Sequence, residues 1–114
     1  MIKKSYAIYN RSPVGLQRES SPSAQRIEQC KAIVSAVGGS LVGVFEDIGV
    51  SGSRGATASA RDQLMERVKA GGIDYVVVPD LARLSRSAVT VMQITAEMKA
   101  SGAELLIAHD LVRE

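Results

Sequence analysis

The sequence of 114 residues holds one cysteine and one histidine, and these two shortages remove whole classes of chemistry. A single thiol cannot form an internal disulfide or a thiolate cluster for zinc, and a single imidazole withdraws the usual transition-metal ligand, so no structural metal is expected. Long apolar runs are missing as well. Nothing approaches the roughly 20 residues that cross a bilayer, and Met1-Ile2-Lys3-Lys4 leads straight into a strand with no signal-peptide cleavage pattern. The expectation is a cytoplasmic chain without a membrane partner. Low-complexity tracts are absent while 46% of the residues are hydrophobic, which describes one folded domain at the low end of comfortable size. Neither sign of charge dominates: the net charge is +2 and the pI about 8.9. A nucleic-acid partner is permitted without being demanded, because such a footprint depends on where arginines cluster more than on their total.

What is present centres on the run from Tyr75 to Arg86. Tyr75-Val-Val-Val is strand-forming and runs into Pro79, which cannot donate to a sheet ladder, and Arg83 and Arg86 follow just past that end. In open α/β sheets ligands bind beyond the carboxyl ends of the strands, and a guanidinium is a planar fork that matches a phosphate. Phosphate is therefore the first ligand to suspect, against the plainer reading of two solvated arginines in a strand-to-helix loop.

The remaining elements follow the same rules. Ser5–Tyr9 reads as a buried first strand ended by Pro13, with Arg11 at its carboxyl end. Ser21-Pro22 caps a first helix over Pro22–Val37, whose apolar stripe is Ile27, Cys30, Val34 and Val37 before Gly38-Gly39. On that stripe Cys30 is a small buried hydrophobe in preference to a reactive thiol. Leu41–Phe45 is a second strand followed by Glu46-Asp47. The Gly- and Ser-rich stretch from Ile48 to Ala60 is expected to be a loop that orders on a ligand, its glycines being a weak phosphate-loop signal. Arg61 opens a second helix with Leu64, Met65 and Val68 inward, and a cation in a first turn opposes the helix dipole unless it reaches toward an anion. A third helix carries Val91, Ile94 or Thr95, and Met98 on one side, with Met92 and Met98 as packing residues. Glu104–Ala108 is a fourth strand, and His109 reads as a surface histidine. Alternating strands and helices predict an α/β fold: a three-layer, mainly parallel sheet of four strands, or five, with helices on both faces. Arg11, Arg61, Arg83 and Arg86 would then meet at one sheet edge.

In order along the chain, Tyr9-x-Arg11, Gln17, Ser23-x-Gln25, Cys30, Asp47-x-Gly49-x-Ser51-Gly52, Arg61-x-x-Leu64 and Arg83-Leu84-Ser85-Arg86 resemble the catalytic domain of serine recombinases, the resolvase/invertase and large serine integrase group. The resemblance covers nearly the whole chain and implies a resolvase-like fold and site-specific recombination. A serine hydroxyl attacks a DNA phosphodiester, leaves a 5′-phosphoserine ester and lets strands exchange without ATP or metal. Carried over by position, Arg11, Arg61, Arg83 and Arg86 would cradle the scissile phosphate, and Gln17, Gln25, Asp47 and Ser51 would support it. The implied partners are double-stranded DNA and further copies of the chain, a homodimer and a tetramer in a full-length protein of bacterial or phage origin. The family's long dimerisation helix and DNA-binding domain are not found in residues 1–114.

Two positions depart from the pattern. The serine of Tyr-x-Arg-x-Ser is replaced by Pro13, with Ser12 one residue early and, by strand alternation, facing away from Arg11; a one-residue shift or bulge would bring it back. The aspartate usual before the first arginine of Arg-Leu-Ser-Arg is Ala82, with Asp80 two positions earlier. Ser12 is thus the expected nucleophile, and the alternative is a module that grips DNA or assembles without cutting it. A small nucleotide-binding domain would need a phosphate loop after strand one, which Ser12-Pro13-Val14-Gly15 does not supply.

Overall fold

A computed structural model describes residues 3–12, 22–48 and 59–111 of the chain. Four strands, β1 (Ser5–Ser12), β2 (Ser40–Ile48), β3 (Tyr75–Val78) and β4 (Glu104–Ile107), form one sheet in the order β2-β1-β3-β4, every pair parallel. Helices α1 (Pro22–Ala36), α2 (Ala60–Ala70) and α4 (Ala88–Ala100) connect them, with two short helices, α3 (Leu81–Leu84) and α5 (Ala108–Leu111), after β3 and β4. The expected three-layer α/β fold holds, with four strands among the described residues.

Strand β1 is central and buried on both sides, and its alternation assigns the two halves of the core. Ala7 and Tyr9 face Leu64, Met65 and Val68 of α2, and Ile94 and Met98 of α4. Tyr6 and Ile8 face Cys30 and Val34 of α1. Against β2 the register slips by one residue between Tyr6 and Ala7. That slip lets Val42 and Phe45, an even and an odd position, both pack on the α2 side.

Several expected boundaries move, and β4 ends at Ile107, one residue before the expected Ala108, which instead opens α5. Both β1 and β2 run three residues farther than their apolar cores, because Asn10, Arg11 and Ser12 pair with Glu46, Asp47 and Ile48. Helix α1 stops before Val37, which is 57% exposed and lies outside the expected stripe. Gly38 takes φ 72°, its N–H donates to Ser35 O at 3.0 Å, and that of Gly39 donates to Val34 O at 2.9 Å. This paired closure satisfies the last helical carbonyls and makes Val37 the cap. Gly102 closes α4 in the same way.

Cys30 is fully buried, as its place on the stripe implied, and burial pushes its thiol up to about 11. Met98 is core, whereas Met92 is 69% exposed. His109 is exposed, and its backbone N–H donates to Pro79 O at 3.0 Å, tying the start of α5 to the end of β3. No described helix is long and apolar enough to cross a membrane.

Candidate phosphate-gripping site

The carboxyl ends of β1, β2 and β3 meet the amino end of α2 and the short helix α3, and α3 organises what lies there. Asp80 is extended (φ −157°, ψ 168°) and its Oδ1 accepts the Arg83 N–H at 3.2 Å. This is an N-cap that starts a helix immediately after the Pro79 break. Leu84 is fully buried and pins the helix to the core, which leaves Arg83 and Arg86 on either side of an apolar anchor.

A helix of four residues cannot satisfy its own carbonyls, and arginines from two other elements do so. Arg11 Nη2 donates to Ala82 O at 2.9 Å, and Arg61 Nη1 donates to Leu84 O at 2.9 Å. In return Arg83 Nη1 donates to Arg11 O at 3.2 Å. Arg11 therefore holds the backbone of Ala82 while Arg83, the next residue, holds that of Arg11, and three guanidinium groups from β1, α2 and α3 are gathered around one helical turn. Each commits one of its five N–H donors to a carbonyl, so most of the fork stays available to an anion. Arg86 stands exposed in the bend before α4 and makes no hydrogen bond or ion pair among the described residues. The guanidinium side chains predicted to meet at one sheet edge do so for Arg11, Arg61 and Arg83, with Arg86 two residues beyond the end of α3.

Asp47 sets the position of Arg61. Its Oδ1 accepts from Ala60 N at 2.8 Å, and its Oδ2 accepts from Arg61 N at 3.2 Å and from the Tyr9 hydroxyl at 2.7 Å. The carboxylate thus answers the positive end of the α2 dipole, so the first-turn cation Arg61 is tolerated while its side chain reaches away to α3. Burial, and after it the bond to Asp47, hold the Tyr9 phenol well above its ordinary range. Tyr9 was legible as a core residue and as part of the Tyr9-x-Arg11 pattern, but not its hydroxyl contact, which spans 38 positions of sequence.

Ser12 is 5% exposed, and its Oγ has no hydrogen-bond partner among the described residues. Regular pairing from Ala7 to Ser12 puts it on the Ile8 side of the sheet, toward α1 and away from Arg11, as alternation predicts. Gln25 is exposed near the start of α1. Gln17, Pro13, Ser51 and most of the Gly- and Ser-rich stretch lie outside the described residues.

Comparison with known proteins identifies the family and the fold. Residues 6–113 match the family model described as Resolvase, N terminal domain. A resolvase family site-specific recombinase from Streptococcus pneumoniae shares 27% identity at TM-score 0.81, over 96% of this chain and 75% of its own. The N-terminal catalytic domain of TP901-1 integrase shares 24% at TM-score 0.80, over 94% and 79%. The C-terminal catalytic domain of ISC1926 TnpA, an IS607-like serine recombinase, shares 20% at TM-score 0.74, over 93% and 70%. The two more distant structures carry likeness of fold alone. No curated protein sequence matches the chain.

Proposed function

The chain belongs to the Resolvase N-terminal domain family, the catalytic domain of serine recombinases, and its function is site-specific recombination; from that premise we propose that Arg11, Arg61, Arg83 and Arg86 hold the scissile phosphate of duplex DNA while the Ser12 hydroxyl attacks it. The observation that carries this reading is the crossed pair of bonds from Arg11 to Ala82 O and from Arg83 to Arg11 O, with Arg61 on the same helical turn. Fixed donors of that kind are aimed before the reaction begins and need no reorganisation as charge spreads over the phosphoryl oxygens.

In the reaction the Ser12 Oγ gives up its proton and bonds to phosphorus, and the bond from phosphorus to the 3′ oxygen breaks. The departing 3′ oxygen takes up a proton. The product is a 5′-phosphoserine ester and a free 3′ hydroxyl, and attack by a 3′ hydroxyl from the exchanged strand reverses both changes. One phosphoester replaces another at each step, so no external energy is consumed. For Ser12 to act, the end of β1 must shift by one residue and bring the hydroxyl to the Arg11 side. Its buried Oγ, without a partner among the described residues, favours that change, because a buried hydroxyl without a partner costs about 1–3 kcal/mol.

Exchange between two duplexes requires four cut strands, and each chain offers one hydroxyl. A homodimer on each site and a tetramer on the pair follow, in a bacterial cell or its phage. Asp47 orients Arg61 in this scheme, and Gln17, Gln25 and Ser51 support the phosphate or the adjoining loop.

The test is a denaturant-trapped reaction of the full-length protein on its own recombination site. A covalent protein–DNA adduct is expected, lost in Ser12→Ala and increased in Pro13→Ser. If neither the parent nor Pro13→Ser forms an adduct while a related recombinase does under the same conditions, strand transfer is excluded and a module that only grips DNA is left.

A further inference from the structure

Arginine side chains that serve a phosphate need an acid or a carbonyl behind them to hold the fork in place, and the usual acidic position beside Arg83 is occupied here by Ala82. The methyl of Ala82 brings no charge, and its polar contribution is the carbonyl that accepts Arg11 Nη2 at 2.9 Å. Three residues before Arg83 stands Asp80. One carboxylate oxygen of Asp80 caps α3 on Arg83 N at 3.2 Å, and the other lies 3.8 Å from Arg83 Nε. That separation is an ionic contact too long for a hydrogen bond. Arg83 Nε is buried and has no hydrogen-bond partner among the described residues, so an inward donor faces a carboxylate one small rotation away.

We propose that Asp80 is the positioning acid of Arg83, replacing from the N-cap of α3 the acid that position 82 lacks. Its two oxygens have separate tasks. Oδ1 fixes where the helix begins and hence where the Arg83 backbone sits, and Oδ2 holds the Nε edge of the fork. Arg11 O holds Nη1. With those two places taken, Nη2 and the outer N–H of Nη1 remain for a phosphoryl oxygen, in one fixed orientation. Asp80 touches no DNA in this scheme and acts through Arg83. The inference rests on the reading that Arg83 meets phosphate.

The sign of one measurement separates positioning from mere proximity. Simple Coulomb repulsion says that removing the Asp80 charge makes the site more positive and binds anions more tightly; a positioning role says that binding weakens. Asn is as good an N-cap as Asp, so Asp80→Asn keeps the helix start and removes the charge. Binding of inorganic phosphate is followed through the Arg83 Nε–H resonance of the whole chain. The expected result is that Asp80→Asn moves that resonance in the free protein, more than it moves those of Arg11 and Arg61, and weakens phosphate about five- to tenfold. Ala82→Asp added to Asp80→Asn is expected to restore most of the affinity. Phosphate binding unchanged or tightened in Asp80→Asn, with the Arg83 resonance unmoved, would overturn the proposal. If phosphate leaves the parent's Arg83 resonance unmoved while Asp80→Asn shifts it, Asp80 still positions Arg83 and the phosphate reading is what fails.

Discussion

The two faces of β1 are built from the same eight residues and do opposite things. Toward α2 and α4 the strand shows Ala7, Tyr9 and Arg11, a series that passes from core to a hydroxyl bound by Asp47 to a guanidinium clasped on α3. Toward α1 it shows Tyr6 and Ile8 against Cys30 and Val34, and on this side Ser12 stays buried. Strand alternation, with a period of two, puts neighbours in sequence on opposite sides of a layer. One strand therefore presents the grip and the hydroxyl back to back. The comparison teaches that the arginine cluster is assembled in the resting fold, while the attack proposed for Ser12 would require a shift of a single residue at the strand's end.

Breaking the gripping face gives the largest effect. Arg11→Ala removes a guanidinium and opens the clasp with Ala82, and loss of one such donor costs about 2.7–4 kcal/mol of transition-state stabilisation. DNA cleavage is expected to fall about a hundredfold or more, measured as adduct formed per unit time, with a thermal transition little changed because the side chain is only half-buried. A loss of fold with no change in cleavage per folded molecule would show that Arg11 is a structural residue. Asp47→Ala comes next. It strips the acceptor from Tyr9, Ala60 N and Arg61 N together and should lower stability by about 3 kcal/mol, against about 1 kcal/mol for Tyr9→Phe. Denaturant titration of both variants checks the ratio, and equal losses would mean that the α2 contacts of Asp47 contribute nothing.

How much of this was readable beforehand follows from the same alternation. The apolar run Tyr75–Val78 is the whole of β3, because buried parallel strands announce themselves as continuous hydrophobic stretches. The polar ends of β1 and β2 carry no such signal. Asn10, Arg11 and Ser12 become strand only because Glu46, Asp47 and Ile48 lie alongside, and pairing between segments about 36 residues apart in the chain is not written in either segment. Helices α3 and α5 have four residues each, too few for a helical period to appear. The arginines of the site were legible from their places at strand and helix ends. Their partners were not, since Ala82 O, Leu84 O and Arg11 O are carbonyls that every residue possesses.

The α1 face can be tested for how rigidly it holds the hydroxyl side in place. A Cβ on Gly39 would run into the Tyr6 ring, and that ring is buried and stacked on Tyr75 with centroids 4.8 Å apart and planes at 23°. Gly39→Ala is therefore expected to cost about 2 kcal/mol through displacement of the ring pair, read as a lower denaturation midpoint with unchanged slope. If this face also restrains the end of β1, adduct formation per folded molecule will rise as the face loosens. An unchanged yield would confine the restraint to the last residues of the strand.

Cys30 gives the smallest effect and reports on the same face without disturbing it. Burial raises its thiol from the ordinary 9.0 to about 11, so the folded state favours the neutral form. In a group raised this way the unfolded chain loses its proton first. The associated stability is fully present below pH 9.0 and declines as pH rises through about 11. Between those values the folded protein should resist a thiol-alkylating reagent that modifies the unfolded chain readily, because the thiolate is the reacting species and the sulfur is covered. The rate of labelling then measures opening of the α1 layer. Comparing it with and without bound DNA asks whether moving Ser12 across the sheet requires α1 to lift: faster labelling on DNA means that it does, and equal rates place the whole movement within the end of β1.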